Sequence, residues 1–174
     1  PAEDFRPCWL LRREMEKRMP GGLPVVAARR TAAVITVDGT IDPEEWTPGE
    51  KQTVSVNTVK PEILQWRAIG EKATFPSKAY LQVDDERLYV AFVNDVQPEG
   101  GIVGGHTWGQ SDAAEFALSV VAPNNELGPI MIWRGFTDGT FTTSDEAGAP
   151  KSTVERCRQG VQYGCRTVSK TQWT

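Results

Sequence analysis

Cysteine and histidine, the residues that build most zinc and redox sites, are scarce in this sequence. The 174 residues include three cysteines, Cys8, Cys157 and Cys165, and a single histidine, His106. No two cysteines stand in a CxxC spacing, which argues against a Cys/His zinc site. Seven residues separate Cys157 from Cys165, so the two can pair as a disulfide across a hairpin or remain buried thiols; both alternatives stay open.

Long apolar runs and catalytic signatures are also missing. No stretch approaches the roughly 18 consecutive apolar residues that a membrane-spanning helix needs, so we expect no membrane partner. The sequence contains no GxSxG, HExxH or P-loop motif. A glycosidase would need only two carboxylates, but the nineteen Asp and Glu beyond residue 32 make accidental pairs inevitable. We therefore expect no enzymatic activity.

Basic residues are in the minority outside the N-terminal segment. Residues 1–32 carry a net charge of +3, whereas residues 33–174 carry −7. An acidic body argues against a nucleic-acid partner, because such a partner requires neutralisation of phosphates. The chain starts at Pro1 without an apolar signal-like region, which is typical of a mature protein or an excised piece.

The pattern predicts one helix and many short strands. Residues 8–18 contain no glycine or proline and place Leu11 and Met15 one turn apart, so we expect a helix there, ended by Pro20 and Gly21. Residues 1–32 are interpreted as this helix with a connector, and residues 33–174 as the main domain. Alternating residues and turn signals predict strands at 34–37, 53–59, 79–83, 88–93, 114–121, 130–133, 140–143 and, more weakly, 161–168. This indicates an all-β, antiparallel β-sandwich with a short N-terminal helix.

One connection in this pattern is unusually long. Residues 97–110 contain five glycines, and a loop of this length usually carries function. Trp108 lies near its end, preceded by Gly104-Gly105-His106-Thr107, with no apolar neighbour to bury it. The loop is the first candidate for a binding site.

Four ordered segments resemble the family 9 carbohydrate-binding modules and the wider group of related sandwiches. The family's opening segment, DG-x-ID-x-x-W, is similar to VDGTIDPEEW at 37–46, and its LYVA hairpin is similar to VDDERLYVAFVND at 83–95. Its W-x-x-D-x-x-E-x-F segment resembles WGQSDAAEF at 108–116, which has one inserted residue. IWRG at 132–135 stands where the family has a strand with a ligand-facing arginine. The resemblance covers residues 34–174.

The resemblance implies a jelly-roll-like sandwich that binds polysaccharide or its chain ends without catalysis. Such modules keep other domains of a secreted enzyme near their substrate, so the implied location is extracellular. Glu115 aligns with the family's ligand-binding glutamate, Arg134 with its arginine, and Asp95 with an acidic position near structural calcium. The family continues beyond the position of Thr174 and carries a second sugar-stacking tryptophan there, so the resemblance implies a truncated module.

Sugars present apolar C–H faces and rings of hydroxyl groups, so a site needs an aromatic platform and charged hydrogen-bonding groups. Trp108 is the candidate platform, with a core role as the alternative. Trp66 is a second candidate platform, again with a core role as the alternative. Glu115 is interpreted as a hydroxyl acceptor or a solvent-facing carboxylate. Arg134 is interpreted either as a residue whose guanidinium points at the sugar or as a surface charge.

Strand alternation assigns these polar residues to a face. Ala114, Phe116 and Leu118 share one face of their strand, and Glu115 and Ala117 lie on the other. Trp133 is expected in the core.

Two alternatives to sugar binding remain. A structural sandwich could dock neighbouring domains without a sugar site. Related sandwiches also hold haem b, whose axial ligands would come from His106, Met131 or a lysine.

Overall fold

The computed structural model describes residues 29–31, 33–46, 75, 77–121, 124 and 126–174. Within these ranges the chain forms eight strands and two short helices, so the prediction of an all-β fold is confirmed. The helix predicted at 8–18, the strand predicted at 53–59 and the domain boundary at residue 32 depend on residues outside the described ranges and stay predictions. No helix of the described residues is long and apolar enough to cross a membrane.

The described residues divide into two compact units, each with its own sheet. The unit that contains Gly105–Tyr163 holds three antiparallel strands in the order β4 (Ala113–Val121), β5 (Leu127–Phe136) and β6 (Phe141–Ser144), and its helix α2 (Lys151–Gln159). The other unit comprises the described residues of Pro24–Gly104 and Gly164–Thr174. Its strands, in sheet order, are β1 (Arg29–Arg30), β2 (Ser77–Val83), β3 (Leu88–Asp95), β8 (Gln172–Trp173) and β7 (Thr167–Ser169). Only β1 and β2 pair in parallel; the other pairs are antiparallel.

The β2–β3 hairpin forms where the sequence predicts it, and Asp84 explains its turn. One carboxylate oxygen of Asp84 accepts the backbone N–H groups of Glu86 and Arg87, each at 2.7 Å. The other oxygen accepts the Tyr89 hydroxyl at 2.6 Å. An Asp side chain that accepts the backbone N–H groups two and three residues later stabilises a turn, and here the Asp84 N–H also donates to the Arg87 carbonyl at 3.1 Å. The Tyr89 hydroxyl also holds the pKa of Asp84 below its ordinary value.

The Asp38-Gly39 pair forms the predicted turn and packs against the end of the chain. Gly39 has a φ of 81°, and a Cβ at this position would overlap the backbone of Cys165. Asp38 accepts the Thr40 backbone N–H at 2.7 Å, and the Thr174 hydroxyl donates to the Gly39 carbonyl. Only glycine suits this turn, because it needs both the left-handed conformation and the close approach.

The prediction of a strand at 34–37 is wrong. Residues 34–37 carry no strand, and the glutamate that follows them explains why. The Glu45 carboxylate accepts both the backbone N–H of Thr36, at 3.2 Å, and its hydroxyl, at 2.8 Å. A side chain thus takes the hydrogen bond that a strand would give to its neighbour. Glu45 itself lies in the short helix α1 (Pro43–Trp46), in which Trp46 is buried.

The prediction of a strand at 161–168 is also wrong over most of its length. Only β7 is a strand there, and helix α2 precedes it. Cys157 lies inside α2 as a free thiol, so the hairpin that would place it opposite Cys165 does not form. Pro150 and Gly160 flank the helix, and this pair is a recognised start and stop signal.

The three-stranded sheet has its most buried residue at the end of β5. Phe136 is 1% exposed, and its carbonyl accepts the Tyr163 hydroxyl at 2.8 Å. The neighbouring Gly135 lies directly under the Tyr163 ring, where a Cβ would overlap the ring atoms. β5 is therefore held tightly at this point, and Arg134 precedes it in the same strand.

Candidate functional site

The pairing of β4, β5 and β6 brings Glu115 and Arg134 together. Glu115 pairs directly with Arg134, and Arg134 pairs with Thr142 on the next strand. Directly opposed residues of antiparallel strands point to the same side of the sheet, so the three side chains share one face. Sequence order alone could not give this register, which places residues 19 positions apart in contact.

The face of β4 that carries Ala114, Phe116 and Leu118 is only partly buried. Leu118 is 42% exposed, and Phe116 is half-buried against Trp133, with ring centroids 5.9 Å apart. The face of Glu115 instead carries the buried Arg134 and Phe136. The alternation was correct, but both faces of β4 carry apolar residues, and the pattern cannot show which face is covered.

Arg134 is the buried charge around which the site is built. It is 5% exposed, and its Nε donates to Glu115 Oε2 at 2.8 Å. Its Nη1 and Nη2 donate to the two carboxylate oxygens of Glu146 at 3.2 and 2.6 Å. A buried guanidinium with no partner would cost several kcal/mol. The bidentate pair with Glu146 and the bond to Glu115 offset that cost.

Trp108 covers the face of this guanidinium. The carbon at the centre of the Arg134 guanidinium lies 4.4 Å from the centroid of the Trp108 ring, well within the range of a cation–π contact. The turn at Thr107–Ser111 presents the ring: the Gln110 and Ser111 N–H groups donate to the Thr107 carbonyl at 3.0 and 2.9 Å. Trp108 is half-buried. It is neither an isolated exposed ring nor a fully buried core residue, and Arg134 covers one of its faces.

A second contact ties the same loop to the β5–β6 turn. His106 Nδ1 lies 3.1 Å from Asp138 Oδ2, and Asp138 accepts the Thr140 backbone N–H and hydroxyl at 2.9 and 2.6 Å. The Thr140 bonds, and then His106, hold the pKa of Asp138 below its ordinary value. The loop that carries Trp108 is thus fixed at two points, His106 and Trp108.

The charges in this cluster support one another. The hydrogen bonds to Glu146 raise the pKa of Arg134, and the bond to Glu115 adds to the effect while burial opposes it. The guanidinium in turn lowers the pKa of the Glu146 carboxyl. Glu146 is therefore ionised throughout the neutral range, although 58% of its side chain is exposed. The cluster of Glu115, Arg134 and Glu146, here called the charge cluster, carries two negative charges and one positive charge.

The Glu146 carboxylate predicts a pH dependence. Because its pKa is lower in the folded chain than its ordinary value of 4.5, its contribution to stability is present above that pH and is lost as the pH falls through the folded value. Glu146→Gln should lower the free energy of unfolding by about 1 kcal/mol at pH 7, the small size reflecting its exposure. Urea unfolding of both proteins from pH 7 to pH 3 should show this difference shrink below pH 4.5. A difference that stays constant with pH would contradict the role given to Glu146.

Of the other predicted site residues, only Asp95 lies in the described ranges, and it is not part of this cluster. Trp66 lies outside the described residues. Asp95, on β3, accepts the Gln172 side-chain amide at 2.7 Å, and no group of three or more His, Cys, Asp or Glu in the described part of the chain could hold a metal. Calcium at Asp95 therefore stays a prediction.

The two residues considered as haem ligands occupy unlike places. Met131 is buried on β5, whereas 75% of the His106 side chain is exposed and its Nδ1 contacts Asp138. Haem binding stays a prediction.

Sequence reasoning missed Glu146 and Asp138. Each follows or lies within a turn, in Thr143-Ser144-Asp145-Glu146 and Thr137-Asp138-Gly139, where acidic residues are ordinary. The available signal was Arg134 itself. An arginine within an apolar strand is expected to be buried, and a buried arginine requires carboxylate partners.

Comparison with protein-family models, curated proteins and solved structures finds no match to this chain. The resemblance to family 9 carbohydrate-binding modules therefore depends on the residues quoted for it. The geometry of the site stands independently of that resemblance.

Proposed function

We propose that the chain is a non-catalytic carbohydrate-binding module that binds polysaccharide or its chain ends through Trp108. In this proposal the two sheets belong to a β-sandwich, the protein is extracellular, and it keeps other domains of an enzyme near their substrate. Weak binding at one site suffices for that role, because tethering raises the effective concentration of the enzyme at the polymer.

The observation that carries the proposal is the Trp108 ring held 4.4 Å over a buried guanidinium. A sugar stacks best on a large aromatic face with a fixed orientation, because little side-chain freedom is then lost on binding. Arg134 fixes one face of the indole, and in this proposal the sugar stacks against the other. The exposed Glu146 carboxylate, also bonded to Arg134, supplies an acceptor for sugar hydroxyl groups.

The same carboxylates support a binding role over catalysis. A glycosidase needs one carboxyl group whose pKa is raised, so that it can donate a proton to the leaving oxygen. The guanidinium has the opposite effect on Glu146, whose pKa is lowered. Glu115 is held by the same guanidinium at 2.8 Å, so the pair serves the arginine and is not poised around a scissile bond.

Trp108→Ala should weaken polysaccharide binding at least about 30-fold, the loss typical of a dominant interface side chain. The measurement is affinity electrophoresis on cellulose, xylan, mannan, galactan, starch and chitin derivatives, followed by calorimetry with the best ligand. Phe75→Ala, which removes an exposed aromatic ring from the other unit, is the matched control and should leave the affinity unchanged. Equal affinity of wild type and Trp108→Ala would overturn the site.

The panel also tests the structural alternative. If no member of the panel binds the wild-type chain, the proposed function is wrong and a purely structural domain becomes the better hypothesis. An absorption spectrum of the purified protein with added haem tests the remaining alternative.

A further inference from the structure

We propose that Glu146, and not Arg134, is the polar group of the site that meets the sugar, and that it selects neutral sugars over acidic ones. The inference rests on the proposed function, since it concerns the ligand class of the same site. It reverses the usual expectation that an arginine beside a tryptophan attracts acidic groups.

Arg134 cannot readily serve as an anion receptor. The residue is 5% exposed, and its Nε, Nη1 and Nη2 all donate to carboxylate oxygens of the chain itself. The Trp108 ring covers a face of the guanidinium. A uronate that displaced Glu115 or Glu146 to reach it would leave a carboxylate of the protein without its charged partner.

Glu146 has the opposite properties. More than half of its side chain is exposed, yet two bonds to Arg134 fix both of its oxygens. Each carboxylate oxygen has two lone pairs, so each can accept a hydroxyl hydrogen besides its bond to Arg134. The carboxylate therefore offers a fixed, acceptor-only surface to the hydroxyl groups of a sugar.

The net charge of the charge cluster decides the selectivity. One guanidinium and two carboxylates leave a net charge of −1 beside Trp108, within a chain of net charge −4. A sugar carboxylate held within about 6 Å of this charge should bind about tenfold more weakly than the matching neutral sugar. Because Glu146 is exposed, added salt should reduce the difference.

Calorimetry with matched sugar pairs tests the proposal. The probes are cellohexaose, mannohexaose, galactohexaose and maltohexaose, each beside the same chain with its C6 hydroxyl groups oxidised to carboxylates, and xylohexaose beside its glucuronic acid-substituted form. The wild-type chain should bind at least one neutral member, and the acidic member of that pair about tenfold more weakly. Glu146→Gln should reduce this ratio to below about threefold, because the cluster is then neutral.

Asp145→Asn is the matched control. It removes the same charge from the adjacent exposed residue and leaves the partners of Arg134 unchanged, so the tenfold ratio should persist. Acidic chains that bind as tightly as neutral ones, or a ratio that survives in Glu146→Gln, would overturn the specificity while leaving sugar binding intact. Failure of the wild-type chain to bind any member would instead overturn the proposed function, and the specificity with it.

Discussion

Replacing Arg134 with leucine is expected to lower the free energy of unfolding by about 3 kcal/mol at neutral pH. The reason lies in the carboxylate left behind. Glu115 is only 18% exposed, and the guanidinium Nε at 2.8 Å is its charged partner. Urea unfolding followed by far-ultraviolet circular dichroism measures the change.

Two further variants separate this explanation from a loss of packing. Arg134→Lys keeps the charge but cannot make the fork-to-fork pair with Glu146, and should cost about half as much as leucine. The double variant Arg134→Leu with Glu115→Leu removes both charges, and should recover most of the lost stability, because a buried ion pair and an apolar pair of similar volume are often nearly equal in stability. A double variant less stable than Arg134→Leu alone would contradict this.

Replacing Phe136 with alanine should lower the free energy of unfolding by about 4 kcal/mol. Phe136 is the largest fully buried side chain of the described residues. Its backbone carbonyl accepts the Tyr163 hydroxyl, and its backbone also forms hydrogen bonds within the β5–β6 turn. Truncation removes its apolar contacts and leaves a cavity that the tightly paired strand cannot close. Thermal and urea unfolding measure the loss.

A matched truncation in the same sheet provides the control. Leu118→Ala removes an apolar side chain that is 42% exposed and should cost less than about 1 kcal/mol. If the two truncations cost equal amounts, Phe136 does not lie at the centre of the buried face.

Some parts of this fold could be predicted from local sequence, and others could not. The β2–β3 hairpin was predictable because alternation and an Asp-rich turn agree in adjacent residues, and β5 with β6 followed for the same reason at Thr137-Asp138-Gly139. The absence of a strand at 34–37 was not predictable, because the Thr36 hydrogen bonds go to a glutamate nine residues later. The alternation of residues within a segment does not show which side chains elsewhere in the sequence take its backbone hydrogen bonds.

For the candidate site, the residues could be predicted but their arrangement could not. Trp108, Glu115 and Arg134 were proposed on a family resemblance, and the structure brings all three together. Their arrangement was not predictable: the arginine is buried beneath the tryptophan and does not point outwards. Glu146 was missed because its role depends on a contact across twelve residues, which gives no local signal.

The described geometry also changes what a substitution at the site means. Because Arg134 holds Trp108, Glu115 and Glu146, a loss of sugar binding in an Arg134 variant would not by itself identify a sugar contact. Variants of Trp108 and Glu146 are more informative, since each removes a group at the edge of the charge cluster while leaving Arg134 with a carboxylate partner.

The central claim, that Trp108 is the sugar platform, is tested most directly by fluorine NMR. The chain has six tryptophans, so protein labelled with 5-fluorotryptophan should give six lines, each assigned through its loss in a Trp→Phe variant. During titration with the hexasaccharide series, the Trp108 line should shift in a saturable way, whereas the lines of the buried Trp46 and Trp173 should not move. A titration in which the sugar binds and the Trp108 line stays in place would contradict the account.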